Sequence, residues 1–138
     1  MHTLPHIEAR ELMFPTRRAT PFSDKEWLFE WKYDGLRCLV RKEGECVDLI
    51  SRSGKSFNDS FPEIVDAVAA VPGEFVWDGE LTVDEPTGHP SLRKVQGRAR
   101  TSTRVKMDAV KTEYPARLYV FDILASMAND LRSRVKIT

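Results

Sequence analysis

Residues 28–52 read LFEWKYDGLRCLVRKEGECVDLISR, and the alternation inside this stretch decides the fold. Apolar, β-branched and aromatic side chains recur at period two from Leu28 to Tyr33, Leu36 to Arg41 and Cys46 to Arg52. Asp34-Gly35 and Glu43-Gly44-Glu45 separate the three runs. Such runs, broken by Asp-Gly and a glycine turn, predict three adjacent antiparallel strands. A three-residue turn pairs Lys42 with Cys46, so Val40 faces Asp48 and Cys38 faces Ile50. Cys38 and Cys46 are then not cross-strand partners, and two thiols without further ligands make no metal site. Both are expected to be reduced and structural.

Further along, Ser60-Phe61-Pro62-Glu63 has the S-x-x-E form of a capping box, and Phe61, Ile64, Val65, Val68 and Ala69 follow at helical spacing. This predicts a short amphipathic helix ending near Pro72-Gly73. Glu74 to Val83 reads as a strand, Ser91 to about Arg100 as a helix weakened by Gly97, and Ala116 to Leu124 as a largely apolar strand. Helices interspersed with mostly antiparallel strands make the class α+β.

A chain of 138 residues is one domain, 1–138, long enough to bury a core. With 21 basic and 21 acidic residues its formal charge is zero, which excludes a wholly basic nucleic-acid coat. The 41% hydrophobic content lies well outside the disordered regime. No run approaches the roughly 18 apolar residues of a membrane span. His2, His6, Glu8 and Arg10 stand where a signal peptide would be apolar. A soluble, cytoplasmic protein is expected. Charge is nonetheless uneven: Ser91 to Lys111 holds seven basic residues against Asp108, whereas Glu74 to Glu85 holds five acids and no base.

The sharpest chemical feature is Lys32-Tyr33-Asp34-Gly35-Leu36-Arg37, a lysine at the end of a predicted strand beside a tight turn and a second cation. Only roughly one lysine in a thousand is neutral at physiological pH, so a nucleophilic lysine needs a lowered pKa, which burial beside Arg37 and a metal ion would favour. On these residues alone, a surface lysine beside a hairpin turn is an equally good reading.

The motif is one of a series: Glu30-Trp31-Lys32-Tyr33-Asp34-Gly35-Leu36-Arg37, Ser51-Arg52-Ser53-Gly54-Lys55, Phe61-Pro62-Glu63-Ile64, Asp78-Gly79-Glu80-Leu81 and Tyr119-Val120-Phe121-Asp122-Ile123-Leu124. In order and approximate spacing the series resembles ATP-dependent DNA ligases, most closely the ligase domain of the bacterial end-joining type. The resemblance covers residues 21–134, with 1–20 as a lead segment. It implies an ATP-grasp-like nucleotidyltransferase fold in which Lys32 attacks the α-phosphate of ATP and carries AMP to the 5′-phosphate of a DNA nick. It further implies that Glu30 reads the adenine amino group, that Arg37 and Arg52 contact ribose and phosphates, that Glu80 binds ribose or Mg²⁺, and that Phe121 stacks on adenine. Duplex DNA with nicks or ends is the implied partner, with Arg93, Lys94, Arg98 and Arg100 as candidate phosphate contacts.

Each residue has a plainer reading. Glu30 and Arg52 make an equally regular cross-strand surface pair, Phe121 an ordinary core residue, and Asp78 a turn residue before Gly79. The family's later Glu-Gly-x-x-x-Lys and Lys-x-Lys motifs, and its oligonucleotide-binding-fold domain, do not occur in the sequence. The resemblance therefore implies an incomplete adenylation domain with unpaired sheet edges, inviting a homo-oligomer or a complementing chain. Two alternatives stand beside the ligase: a non-catalytic relative that retains nucleotide or DNA binding, and an RNA ligase or capping-type nucleotidyltransferase.

Overall fold

The computed structural model describes residues 3–14, 34–101 and 113–132. The predicted strand from Leu28 to Tyr33, with Glu30 and Lys32, lies outside them, as do Arg104, Lys106 and Lys111. After a short 3-10 turn at Ala9–Glu11 come β1 (Leu36–Glu43), β2 (Cys46–Ser51), α1 (Pro62–Ala69), β3 (Phe75–Val83), α2 (Leu92–Ala99), β4 (Ala116–Ser126) and β5 (Asn129–Asp130). The strands form one antiparallel sheet ordered β2-β1-β3-β4-β5. The α+β class, the mainly antiparallel sheet and the two helices agree with the sequence reading.

Period-two alternation gives each strand two working faces. On one, Cys38, Val40, Val47, Leu49, Phe75, Leu81 and Val83 pack against Phe61, Ile64 and Val68 of the α1 region and Val95 of α2. On the other, Leu39, Val76, Leu124 and Ala125 are covered by Leu4, Ile7, Ala9 and Leu12. The first residues of the chain are therefore a strap across the sheet. Arg41 fastens it by donating to the carbonyls of Pro5 and Leu4, at 2.6 and 3.2 Å.

Two local expectations are corrected. The β1–β2 turn has two residues, Gly44 and Glu45, and the register pairs Glu43 with Cys46, Val40 with Leu49 and Cys38 with Ser51. Positive φ is confined to Gly44, the first central residue, as in a type II′ turn, whose twist matches the flanking strands. This one-residue shift sets Val40 against Leu49 inside the core, where the expected register would have set it against Asp48. The cysteines are free as expected, Cys38 buried and Cys46 exposed, and burial pushes the Cys38 thiol up to about 12.

The capping box does not form. Phe61 is the N-cap of α1 with no side-chain cap bond, Ser60 Oγ donates to the Ala99 carbonyl at 3.0 Å, and the Glu63 carboxylate turns to Arg98. A cap contributes about 1 kcal/mol, whereas an unpaired buried guanidinium costs about 3–5 kcal/mol, so the ion pair prevails. On α2, by contrast, Ser91 caps the helix by accepting from the Lys94 N–H. Gly97 in that helix has no atom within 4 Å of a would-be Cβ. Gly97→Ala is therefore expected to stabilise the protein by about 0.5–1 kcal/mol, measured as a rise in Tm. Among the described residues no helix is long and apolar enough to cross a membrane.

Candidate functional site

Antiparallel pairing of β1 with β3 sets Arg37 opposite Glu80, with Asp78 two residues along β3. By strand alternation all three project on the strap side, away from the helices. Arg37 Nε donates to Asp78 Oδ1 at 2.6 Å and its NH2 group to Oδ2 at 2.5 Å, a bidentate pair with side chains 15% and 5% exposed. That geometry locks the guanidinium plane. Its hydrogen bonds to Asp78, reinforced by the charges of Asp78 and Glu80, hold the Arg37 pKa above its ordinary value despite partial burial. Asp78 is thus neither a turn residue nor an idle neighbour of Gly79; it lies mid-strand and orients the arginine. Sequence reasoning missed this because the pairing of β1 with β3 joins residues 41 positions apart.

Phe121 reaches the same face through an irregularity in β4. Val120 pairs with Gly79 and Asp122 with Asp78, so Phe121 is an extra residue between them; Leu124 is likewise extra between Ile123 and Ala125. Such bulges re-aim side chains. Here the Phe121 ring comes to lie 5.2 Å from the Arg37 guanidinium carbon. Arg52 follows β2 in a loop closed by the Ser51 N–H on the Lys55 carbonyl at 2.7 Å and by the Lys55 N–H on Ser51 Oγ at 3.0 Å. It stays exposed. The structure therefore brings Arg37, Arg52, Glu80 and Phe121 to one side of the sheet.

The α2 cations sit on the other side, with the helices. Arg98 is 1% exposed, and its two terminal NH groups donate to both Glu63 oxygens at 2.5 and 2.6 Å, to the Ser60 carbonyl at 2.8 Å and to the Tyr114 carbonyl at 3.0 Å. The expectation that Arg98 meets DNA phosphates is corrected, because its guanidinium is a buried bolt joining α1, α2 and the entry to β4. Lys94 pairs with Glu85 at 2.8 Å, while Arg93 and Arg100 are exposed. Among the described residues no group of three or more His, Cys, Asp or Glu side chains could hold a metal ion. Glu80 stands directly opposite Arg37 on the strap-side face.

Comparison with known proteins fits this arrangement. Residues 15–136 match the model of the ATP dependent DNA ligase domain. DNA ligase C1 of Mycolicibacterium smegmatis is 36% identical over 112 residues, covering 72% of this chain and 29% of the relative. A probable DNA ligase of Opitutus terrae is 42% identical over 66 residues, 48% of this chain and 6% of that protein. Among solved structures, the ligase domain of LigD from M. tuberculosis superposes with a TM-score of 0.58 at 29% identity, covering 76% of this chain and 32% of the other. Mycobacterial DNA ligase D complexed with ATP and MES gives 0.55 at 27% identity, covering 73% and 30%. The chain thus spans about a third or less of each of these proteins. A sheet that presents Arg37, Glu80 and Phe121 together, in a sequence matched from residue 15 to 136, belongs to the ATP-dependent DNA ligase domain family.

Proposed function

We propose that this chain carries the nucleotide-binding core of an ATP-dependent DNA ligase, of ATP-grasp-like nucleotidyltransferase type, and that Lys32 is its nucleophile. The observation that carries the reading is the Arg37–Asp78 pair, which fixes a cation on the strand that directly follows the K-x-D-G turn. Neutral Lys32 attacks the α-phosphorus of ATP; a P–N bond forms, the P–O bond to pyrophosphate breaks, and the ammonium proton is given up to solvent. Phosphoryl chemistry of this kind rests on positioning and charge neutralisation. Arg37, held flat by Asp78, and Arg52, exposed on its loop, supply cations for ribose and phosphate oxygens. Phe121 offers an aromatic face to adenine, and Glu30 reads its amino group. Mg²⁺ commonly binds through one or two carboxylates plus substrate phosphates, and Glu80 fits that role, with Asp78 committed to Arg37. When bound, the ion would neutralise charge on the leaving pyrophosphate. AMP then passes to the 5′-phosphate at a break in duplex DNA, where the exposed Arg93 and Arg100 are assigned to backbone phosphates. Among the described residues β5 pairs with β4 only at Ala125 and Ser126, and the remaining length of that edge is where a second copy or a complementing chain would pair.

Intact-protein mass after incubation with ATP and Mg²⁺ tests the reading. A gain of one AMP is expected for the wild type and complete loss of that adduct for Lys32→Ala. A wild type that neither gains mass nor binds ATP overturns it. A preference for GTP would transfer the site to the capping type.

A further inference from the structure

The strap ends at the site. Leu4, Ile7, Ala9 and Leu12 anchor it to the sheet, and its last described residues, Met13 and Phe14, lie against the two cations of the preceding section. The Met13 carbonyl accepts from the Arg37 NH2 group at 2.5 Å. The half-buried Phe14 ring has the Arg37 guanidinium carbon 5.0 Å from its centroid and that of Arg52 at 4.4 Å. Arg37 is thus flanked by two rings, Phe14 and Phe121, while Arg52 shares Phe14 with it.

Two guanidiniums against one ring are like charges at close quarters, and they repel. Arg37 is already neutralised by Asp78, which removes most of that repulsion. Arg52 follows β2 in its loop, and among the described residues no carboxylate pairs with it at the distances that fix Arg37. Its ring contact is the feature that ties the exposed loop at Ser51–Lys55 to the buried pair at the sheet centre.

We propose that Phe14 is a positioning residue: its ring holds Arg37 and Arg52 at a set separation, so that the two cations engage neighbouring phosphate groups together. This rests on the nucleotide-binding reading above and extends the site to a segment that the sequence had marked only as a lead. A flat ring suits the task, since it adds no hydrogen-bond acceptor to compete with the phosphates; on Arg37, whose Nε and NH2 groups donate to Asp78 and Met13, the NH1 group is the one to meet them.

The test uses the whole chain and two phosphate ligands, ATP with Mg²⁺ and a nicked duplex bearing a 5′-phosphate. Binding is measured for the wild type, Phe14→Leu and Phe14→Tyr, and the Nε–Hε resonances of Arg37 and Arg52 are followed by NMR, assigned with Arg37→Lys and Arg52→Lys. Phe14→Leu is expected to weaken binding about tenfold and to move both arginine resonances away from their ring-shifted positions, with Phe14→Tyr keeping affinity and shifts. The arm that weakens identifies the phosphates concerned. Unchanged affinity in Phe14→Leu overturns the proposal, as do resonances that stay in place. If the wild type binds neither ligand, the nucleotide-binding reading fails and the clamp has no phosphate to serve. Should Phe14→Leu fail to fold, the wild-type spectrum alone decides: both arginines at free-arginine shifts overturn the clamp.

Discussion

Glu63→Ala is expected to destabilise the protein by about 3–5 kcal/mol, a fall in Tm of roughly 10–15 °C for a domain of this size. The substitution leaves the Arg98 guanidinium, 1% exposed, without the carboxylate that receives two of its hydrogen bonds. The loss is large because desolvation of the cation is no longer offset. The double variant Glu63→Leu with Arg98→Met removes both charges and is expected to recover most of it, since an apolar pair of similar volume is often neutral. Thermal melts of the three proteins check the ordering. Comparable losses in single and double variants would show that packing, and not the charge pair, sets the stability.

The same pair makes stability depend on pH. Burial pushes the Glu63 carboxyl upward, but the hydrogen bonds from Arg98 and from the Glu63 and Ala116 N–H groups, with the Arg98 charge, together hold it below its ordinary value of 4.5. Between its folded and unfolded pKa values the unfolded chain binds more protons at this group, so stability rises with pH there. The contribution is complete above 4.5 and is lost as pH falls through the lower, folded value. Glu63→Gln is expected to flatten this acid limb of a Tm-against-pH curve; parallel curves would remove Glu63 from the account.

Gly35→Ala is the second large effect. A Cβ there would lie 2.1 Å from the Leu81 carbonyl oxygen and 2.9 Å from Thr82 Cγ2, and the first of these is backbone that no rotamer change can clear. β1 must lift from β3 at its first pairs, Leu36 with Leu81 and Arg37 with Glu80. We expect a cost of about 3 kcal/mol, the upper end for overpacking, and loss of ATP binding as Arg37 leaves Asp78. Gly44→Ala is the control: its φ is +58° but nothing lies within 4 Å, so only backbone strain of about 1 kcal/mol applies. Equal melts for the two variants would deny the close approach at Gly35.

Most of the described framework was legible because hydrophobic period and turn chemistry are local. β1 to β4 and both helices stand where alternation and helical spacing put them, with ends shifted by a few residues. What was not legible is what depends on distant partners. The β1–β2 register slipped by one residue because Glu-Gly-Glu admits both a two- and a three-residue turn. Glu63 looked like a capping residue because Arg98, 35 positions away, does not appear in a four-residue motif. Basic residues on α2 looked alike in sequence, yet Arg98 and Arg100 occupy opposite extremes of exposure because one faces α1 and the other solvent. Motif matching singled out Arg37, Arg52, Glu80 and Phe121, and these share a face. It read Asp78 only as a turn residue and was silent on Phe14, and these two govern where the arginines sit.

The two extra residues of β4 each change which residue numbers, odd or even, lie on the strap side, while the directly opposed pairs keep their faces. Before Phe121, odd-numbered residues such as Tyr119 oppose the strap-side positions of β3; between the insertions the phase inverts and Asp122 does so; after Leu124 it is restored and Ala125 opposes Val76. Deleting either residue alone would remove one bulge and keep the pairs on both sides of it, and deleting both would leave an uninterrupted ladder. Pairing of the sheet therefore has no need of Phe121 and Leu124. What they add is two side chains on the strap side, one beside Arg37 and one under the strap, at positions a regular strand cannot supply.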